Sequence, residues 1–118
     1  MRRMPTTTAY HKGDVVLVSF LFTDEGGVKR RPSVIVSTDT YHQDRQEVIV
    51  AAITSNVNRL LIGDHLIAGW QEAGLLHPSV ATDIIRTIKQ EMIHRKLGDM
   101  PSADMQGIDD KLRLVLGL

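Results

Sequence analysis

Residues 13–38, GDVVLVSFLFTDEGGVKRRPSVIVST, decide the fold. Residues 15–22 mix β-branched and aromatic side chains as a largely buried strand does, and the DEGG that follows marks a turn. Pro32 disfavours helix at Arg31, and the SVIVS run after it predicts a second strand paired with the first. This places Arg31 at a strand entrance, beneath a glycine-bearing loop, residues 23–30, that is expected to act as a lid. An arginine so placed suits a phosphate, because its guanidinium makes forked, charge-assisted hydrogen bonds.

Outward from this stretch, EVIVAAIT at residues 47–54 is almost uniformly apolar, which predicts a central third strand. Ser55, Asn56, Asn58 and Gly63 end it. HLIA at residues 65–68 reads as a short edge strand, and residues 69–78 as a loop holding the only tryptophan, Trp70. A fifth strand begins with VATDII at residue 80. Residues 85–100 fit one helix by propensity, or a strand, a helical turn and another strand; the second reading is preferred. Ser102 is expected to cap a last helix, with Asp104 in its first turn and Met105, Ile108, Leu112, Val115 and Leu116 on one face. The fold class expected is mainly β, five or six short strands curled into a small barrel with a C-terminal amphipathic helix. Closure removes the edges such strands would otherwise expose.

Composition bounds the function. A chain of 118 residues suits one domain, here residues 13–118 behind a tail of residues 1–12. Hydrophobic residues at 42% and charged residues at 24% are the balance of a soluble globular protein. No apolar run is long enough for a membrane helix, and MRRMPTTTAY lacks the apolar core of a secretion signal, so a cytoplasmic location is expected. Without cysteine there are no disulfides, thiolate metal sites or thiol catalysis. The formal net charge of zero argues against nucleic-acid binding by bulk electrostatics. Its distribution is uneven, with Arg2, Arg3, Lys12, Lys29, Arg30 and Arg31 near one end and Asp99, Asp104, Asp109 and Asp110 near the other. A local basic face is therefore available.

Taken in order, GDVVLVSFLFTDEGGVKRRPSVIVSTD, VIVAAITS, AGLLHPSVATDIIRTI and KLGDM resemble the MazF/PemK-like toxin family over residues 13–118. The resemblance implies a small SH3-like barrel of five to seven short strands that forms a homodimer. It implies a prokaryotic, cytoplasmic toxin that cleaves single-stranded RNA without metal or cofactor, blocks translation and is neutralised by a cognate antitoxin. The family's arginine directly before the proline matches Arg31, its strand-end threonine matches Thr54, and a polar or acidic position after S-V matches Asp83. These three are the expected catalytic residues, with Lys29, Arg30, Ser55 and Arg86 expected to contact RNA. Where some members carry an arginine two positions before the acid, this chain has Ala81, and residues 23–30 hold no histidine. The general base is thus unassigned.

On the residues alone Thr54 reads as an ordinary β-branched strand end and Asp83 as a surface acid in a strand, and the resemblance is what turns them toward function. Attack by the 2′-hydroxyl of RNA needs a proton acceptor, a proton source and donors for the phosphorane. Arginine serves as the donor, whereas its pKa above about 12 makes it a poor acid. Thr54 can position a phosphate oxygen, and Asp83 can orient Arg31 or take a proton. His11, His42, His65, His77 and His94 show no metal-ligand spacing and read as solvated loop residues, with His11 or His77 able to supply the missing base if the fold brings either to the site. Two other readings stay open: a same-fold toxin that binds a protein target such as gyrase without catalysis, and a non-toxic RNA-binding barrel.

Overall fold

The computed structural model describes residues 10–22 and 27–118. Six antiparallel strands, β1 (Asp14–Phe22), β2 (Gly27–Ile35), β3 (Glu47–Thr54), β4 (His65–Leu66), β5 (Val80–Lys89) and β6 (Ile93–Asp99), form one sheet in the order β4-β5-β3-β2-β1-β6. A short helix, α1 (Asp39–His42), precedes β3, and a longer one, α2 (Ser102–Leu116), ends the chain. Among the described residues no helix is long and apolar enough to cross a membrane.

Successive residues explain the apolar runs. Val15, Val34 and Ala51 enter one buried cluster, whereas Val16, Ile35 and Val50 enter a second. Side chains alternate across a strand, so these central strands are covered on both faces and lose the polar alternation of a half-exposed sheet. β3 lies between β5 and β2, and its sequence-predicted bounds are those observed.

The sheet is curled but not closed, so the expected barrel is approximate. β5 lies next to the edge strand β4 and β6 is the opposite edge, yet only the turn Gln90–Met92 joins them. The sheet must therefore bend until those ends meet, and Ile88 and Ile93 pack in one cluster with Val16 and Val18. Along the rest of the gap the segment between β4 and β5 fills in for a strand ladder. A Cβ on Gly74 would strike the Leu97 carbonyl, and one on Gly98 would strike the Ala73 backbone, so two main chains touch directly. Gly74 also has φ +80°, a conformation that suits glycine.

Several expectations need correction. The basic triplet does not precede a strand: Gly27–Arg30 already belong to β2, paired with Phe22–Ser19, and Arg31 is inside it. β2 continues through Pro32 because it meets β3 only from Ser33 to Ile35, so the missing N–H falls where one flank has no partner. Of the expected lid, residues 23–26 lie outside the described residues. α1 was not anticipated in the polar stretch after Ser37; Thr38 caps it, its hydroxyl accepting the Tyr41 N–H at 3.3 Å. Pro101, not Ser102, occupies the N-cap position of α2, and no side chain caps that end. Met105, Ile108 and Leu112 pack on the first cluster, but Val115 and Leu116 remain exposed as the helix runs past the sheet.

The histidines divide by environment. His42 is fully buried rather than solvated, its Nε2 hydrogen-bonded at 2.6 Å to Ser37 Oγ, which in turn accepts the Ile49 N–H at 2.9 Å. Burial pushes its pKa down, with Asp39 partly opposing. His65 is half-buried and donates to Asp104 at 2.8 Å, and His11 is exposed beside Asp39.

Candidate active site

β2 and β3 pair at Ser33↔Ala52, Val34↔Ala51 and Ile35↔Val50, and beyond that point the ladder between them ends. At the opening lies a cleft of about 530 Å³. Arg31 and Pro32 reach it from β2, Ile53, Thr54 and Ser55 from the end of β3, and Arg95 and Leu97 from β6. The segment before β5 adds Gly74, Leu75, Leu76, His77 and Ser79, and β1 adds Leu17. Leu17 stands opposite Pro32 on one side and Arg95 on the other, so one row across three strands sets their spacing.

The surface formed is apolar below and cationic at the rim. Leu17, Pro32, Ile53, Leu75 and Leu97 supply the apolar part, Arg31 and Arg95 are exposed, and no carboxylate is among the described lining residues. Leu76 is 85% exposed, a bare apolar side chain beside two cations. Thr54 is half-buried, and its Oγ1 accepts the Asn56 N–H at 3.2 Å. That leaves the hydroxyl proton to donate to a ligand oxygen. Two guanidiniums and a hydroxyl around an apolar floor suit a phosphodiester flanked by planar bases.

Of the sequence-predicted site residues, the fold brings Arg31, Thr54 and Ser55 to one cleft. Asp83 goes elsewhere. It lies in a bulge of β5, where the pairing jumps from Ala51↔Ile85 to Ile53↔Ala81, and its carboxylate packs where a Cβ on Gly63 would stand. Thr82 takes the inward place, its hydroxyl donating to the Ala52 carbonyl at 2.8 Å. Lys29 and Arg30 are exposed along β2, and Arg86 is exposed on β5 opposite Val50; none of the three lines the cleft. His77 does line it, whereas His11 does not.

Arg95 was missed because HRK reads as an ordinary solvated strand edge, and only its register with Leu17 places it opposite Pro32. Asp104 was missed in a different way. It is buried, and its carboxylate accepts the Ala68 and Gly69 N–H groups at 2.8 and 2.9 Å as well as His65. Burial raises its pKa, but those three hydrogen bonds outweigh it and hold the carboxyl below its ordinary range. Gly107 makes room for the His65 ring. The result ties α2 to the start of the segment that carries Leu76 and His77. Among the described residues no three His, Asp or Glu side chains gather as a metal site requires.

The PemK-like, MazF-like toxins of type II toxin-antitoxin systems match residues 11–116. An endoribonuclease from Mycobacterial species, solved in complex with its cognate antitoxin, is 22% identical with a TM-score of 0.76, covering 93% of this chain and 97% of that one. The Mycobacterium tuberculosis toxin MazF-mt6 is 23% identical with a TM-score of 0.72, over 89% and 97% of the two chains. A MazE-MazF structure from Deinococcus radiodurans gives 18% identity and a TM-score of 0.77, over 94% and 99%. At such identities the structural likeness is one of fold.

Proposed function

This chain belongs to the PemK-like, MazF-like toxin family of type II toxin-antitoxin systems, and we propose that it is a metal-independent endoribonuclease that cuts single-stranded RNA. The observation that carries this reading is the meeting of Arg31 and Thr54, from strands whose ladder has just ended, in one cleft with Arg95. Neither Arg31 nor Thr54 belongs to a buried cluster, so packing does not account for them.

The scissile phosphate sits at the rim, where Arg31 donates to the non-bridging oxygens. Its forked donors meet the phosphorane as negative charge develops, and fixed donors of this kind are worth most in that state. Thr54 donates its hydroxyl to a phosphate oxygen, and Arg95 holds the phosphate from the opposite strand. Bases flanking the cut lie on the apolar floor and against Leu76. In the cell the protein acts in the cytoplasm as a homodimer, restrained by a cognate antitoxin, and its cuts block translation. Lys29, Arg30 and Arg86 track the RNA strand outside the cleft, and Asp83 has a supporting place in the β5 bulge rather than a chemical one.

The test is incubation of the purified protein with a long single-stranded RNA in EDTA, followed by mapping of the ends. Discrete cuts leaving 5′-hydroxyl termini are expected, and Arg31→Ala lowers the rate on the order of a hundredfold or more. Intact RNA in EDTA, or near-wild-type cleavage by Arg31→Ala, would reject the assignment.

A further inference from the structure

Among the described residues, the polar side chains at the cleft other than His77 are two guanidiniums and the hydroxyls of Thr54, Ser55 and Ser79. Guanidinium stays protonated in proteins and an unassisted hydroxyl does not ionise near neutrality. Those described groups therefore bind and polarise a phosphodiester without removing a proton. Resting on the nuclease reading, we propose that His77 is the general base that takes the 2′-hydroxyl proton of the RNA.

Three observations support this. His77 lines the same cleft as Arg31 and Thr54 and is exposed to solvent, where RNA would reach it. Its imidazole makes no hydrogen bond to a described residue, whereas those of His11, His42 and His65 are bonded to Asp39, Ser37 and Asp104. Its backbone, by contrast, is held. Buried Ser79 donates to the His77 carbonyl at 2.8 Å, Ile67 N–H donates to the Ser79 carbonyl at 3.0 Å, and Leu75 N–H to the Trp70 carbonyl at 3.0 Å. Gly74 seats the segment on β6, and Asp104 fixes its start through Ala68 and Gly69. An uncommitted imidazole on a fixed main chain is what proton transfer at a defined point requires.

In the step assigned to it, neutral His77 accepts the 2′-hydroxyl proton as the 2′-oxygen bonds to phosphorus. The bond from phosphorus to the 5′-oxygen breaks, water protonates that oxygen, and the imidazolium later returns its proton to solvent. The products are a 2′,3′-cyclic phosphate and a 5′-hydroxyl. Among the described residues, Arg31 and Arg95 are the charged groups that share the cleft with the ring.

His77→Ala and His77→Gln are compared with wild type on a short RNA carrying one cut site. The expected result is a fall in single-turnover rate on the order of a hundredfold or more, with the acid-side limb of the wild-type pH–rate profile lost. Binding of the same RNA with a 2′-deoxy sugar at the cut site changes by less than about threefold, which also shows that the variants are folded. A 5′-thio leaving group needs no proton, so the defect of His77→Ala persists on a 5′-phosphorothiolate substrate. Restoration of the rate there would make His77 the acid and overturn the assignment. An active wild type with His77→Ala within about threefold of it overturns this inference alone, whereas a wild type inactive on every RNA overturns the nuclease reading as well.

Discussion

A cation and a hydroxyl become a site only through the residues that hold them apart. Arg31 and Thr54 are separated from direct pairing because β2 and β3 stop exchanging hydrogen bonds at Ser33 and Ala52. Two more ladder pairs in the same register would have set Arg31 directly opposite Thr54. Pro32 lies at that boundary and cannot donate to a ladder, so the residue that marks the motif in sequence is also one that helps keep the mouth open. A second residue of consequence is His42, buried and hydrogen-bonded to Ser37, whose hydroxyl accepts the Ile49 N–H. Its pKa is lowered by burial, so below about 6.5 the unfolded chain binds a proton that the folded one resists. The unfolded state then gains the advantage, and stability falls as pH drops from 6.5 toward the folded pKa. Thermal melts between pH 7.5 and 5.5 should show Tm decreasing on the acid side. In His42→Gln, which keeps a hydrogen-bonding group at the position, that slope should flatten; an unchanged slope would remove His42 as its source.

At the scale of elements, the segment between β4 and β5 carries the most consequence for its length. It covers the open side of the curled sheet, brings Leu76 and His77 to the cleft, and is tied down at Asp104 and at Gly74. Gly74→Ala should therefore damage both stability and activity. An L-residue at its φ of +80° costs about 1 to 2 kcal/mol, and the added methyl must also displace the Leu97 backbone. Denaturant melts and cleavage rates would check this; a fully stable and active variant would mean that the segment and β6 separate freely. The strands themselves were legible in the sequence because β-branched runs with both faces buried leave a strong signal, as in β3. α1 was not, since a single turn of four residues has no periodicity to read. The place of Asp83 in a bulge was not legible, because the bulge comes with the Thr82 hydroxyl bond and a register jump, neither of which alters local composition. Arg95 emerges only once β6 is set beside β1, a pairing between residues far apart in the chain.

For the whole molecule, the curled sheet leaves one side that the described residues do not cover. Gly63 touches both Asp83 and Val115, so the turn after β3, the β5 bulge and the end of α2 converge there. Around that point Leu60, Leu61, Ile62, Ile84 and Leu116 are all more than half exposed, Ile62 at 80%. An apolar surface of that kind marks an interaction face, and a homodimer about a twofold axis would bury it against its own copy. In such a dimer the same patch would meet itself, so one substitution would place two like charges in the interface. Ile62→Glu should convert a sedimenting dimer to monomer while leaving Tm nearly unchanged, since so exposed a side chain contributes little to the fold. Sedimentation velocity over a concentration series measures it. A dimer that persists in Ile62→Glu, or a wild type that is monomeric throughout, would show that this face is covered by something other than a second copy. Neither Ile62 nor its exposed apolar neighbours are among the described residues that line the cleft, so loss of the dimer and loss of cleavage can be read separately in the same preparation.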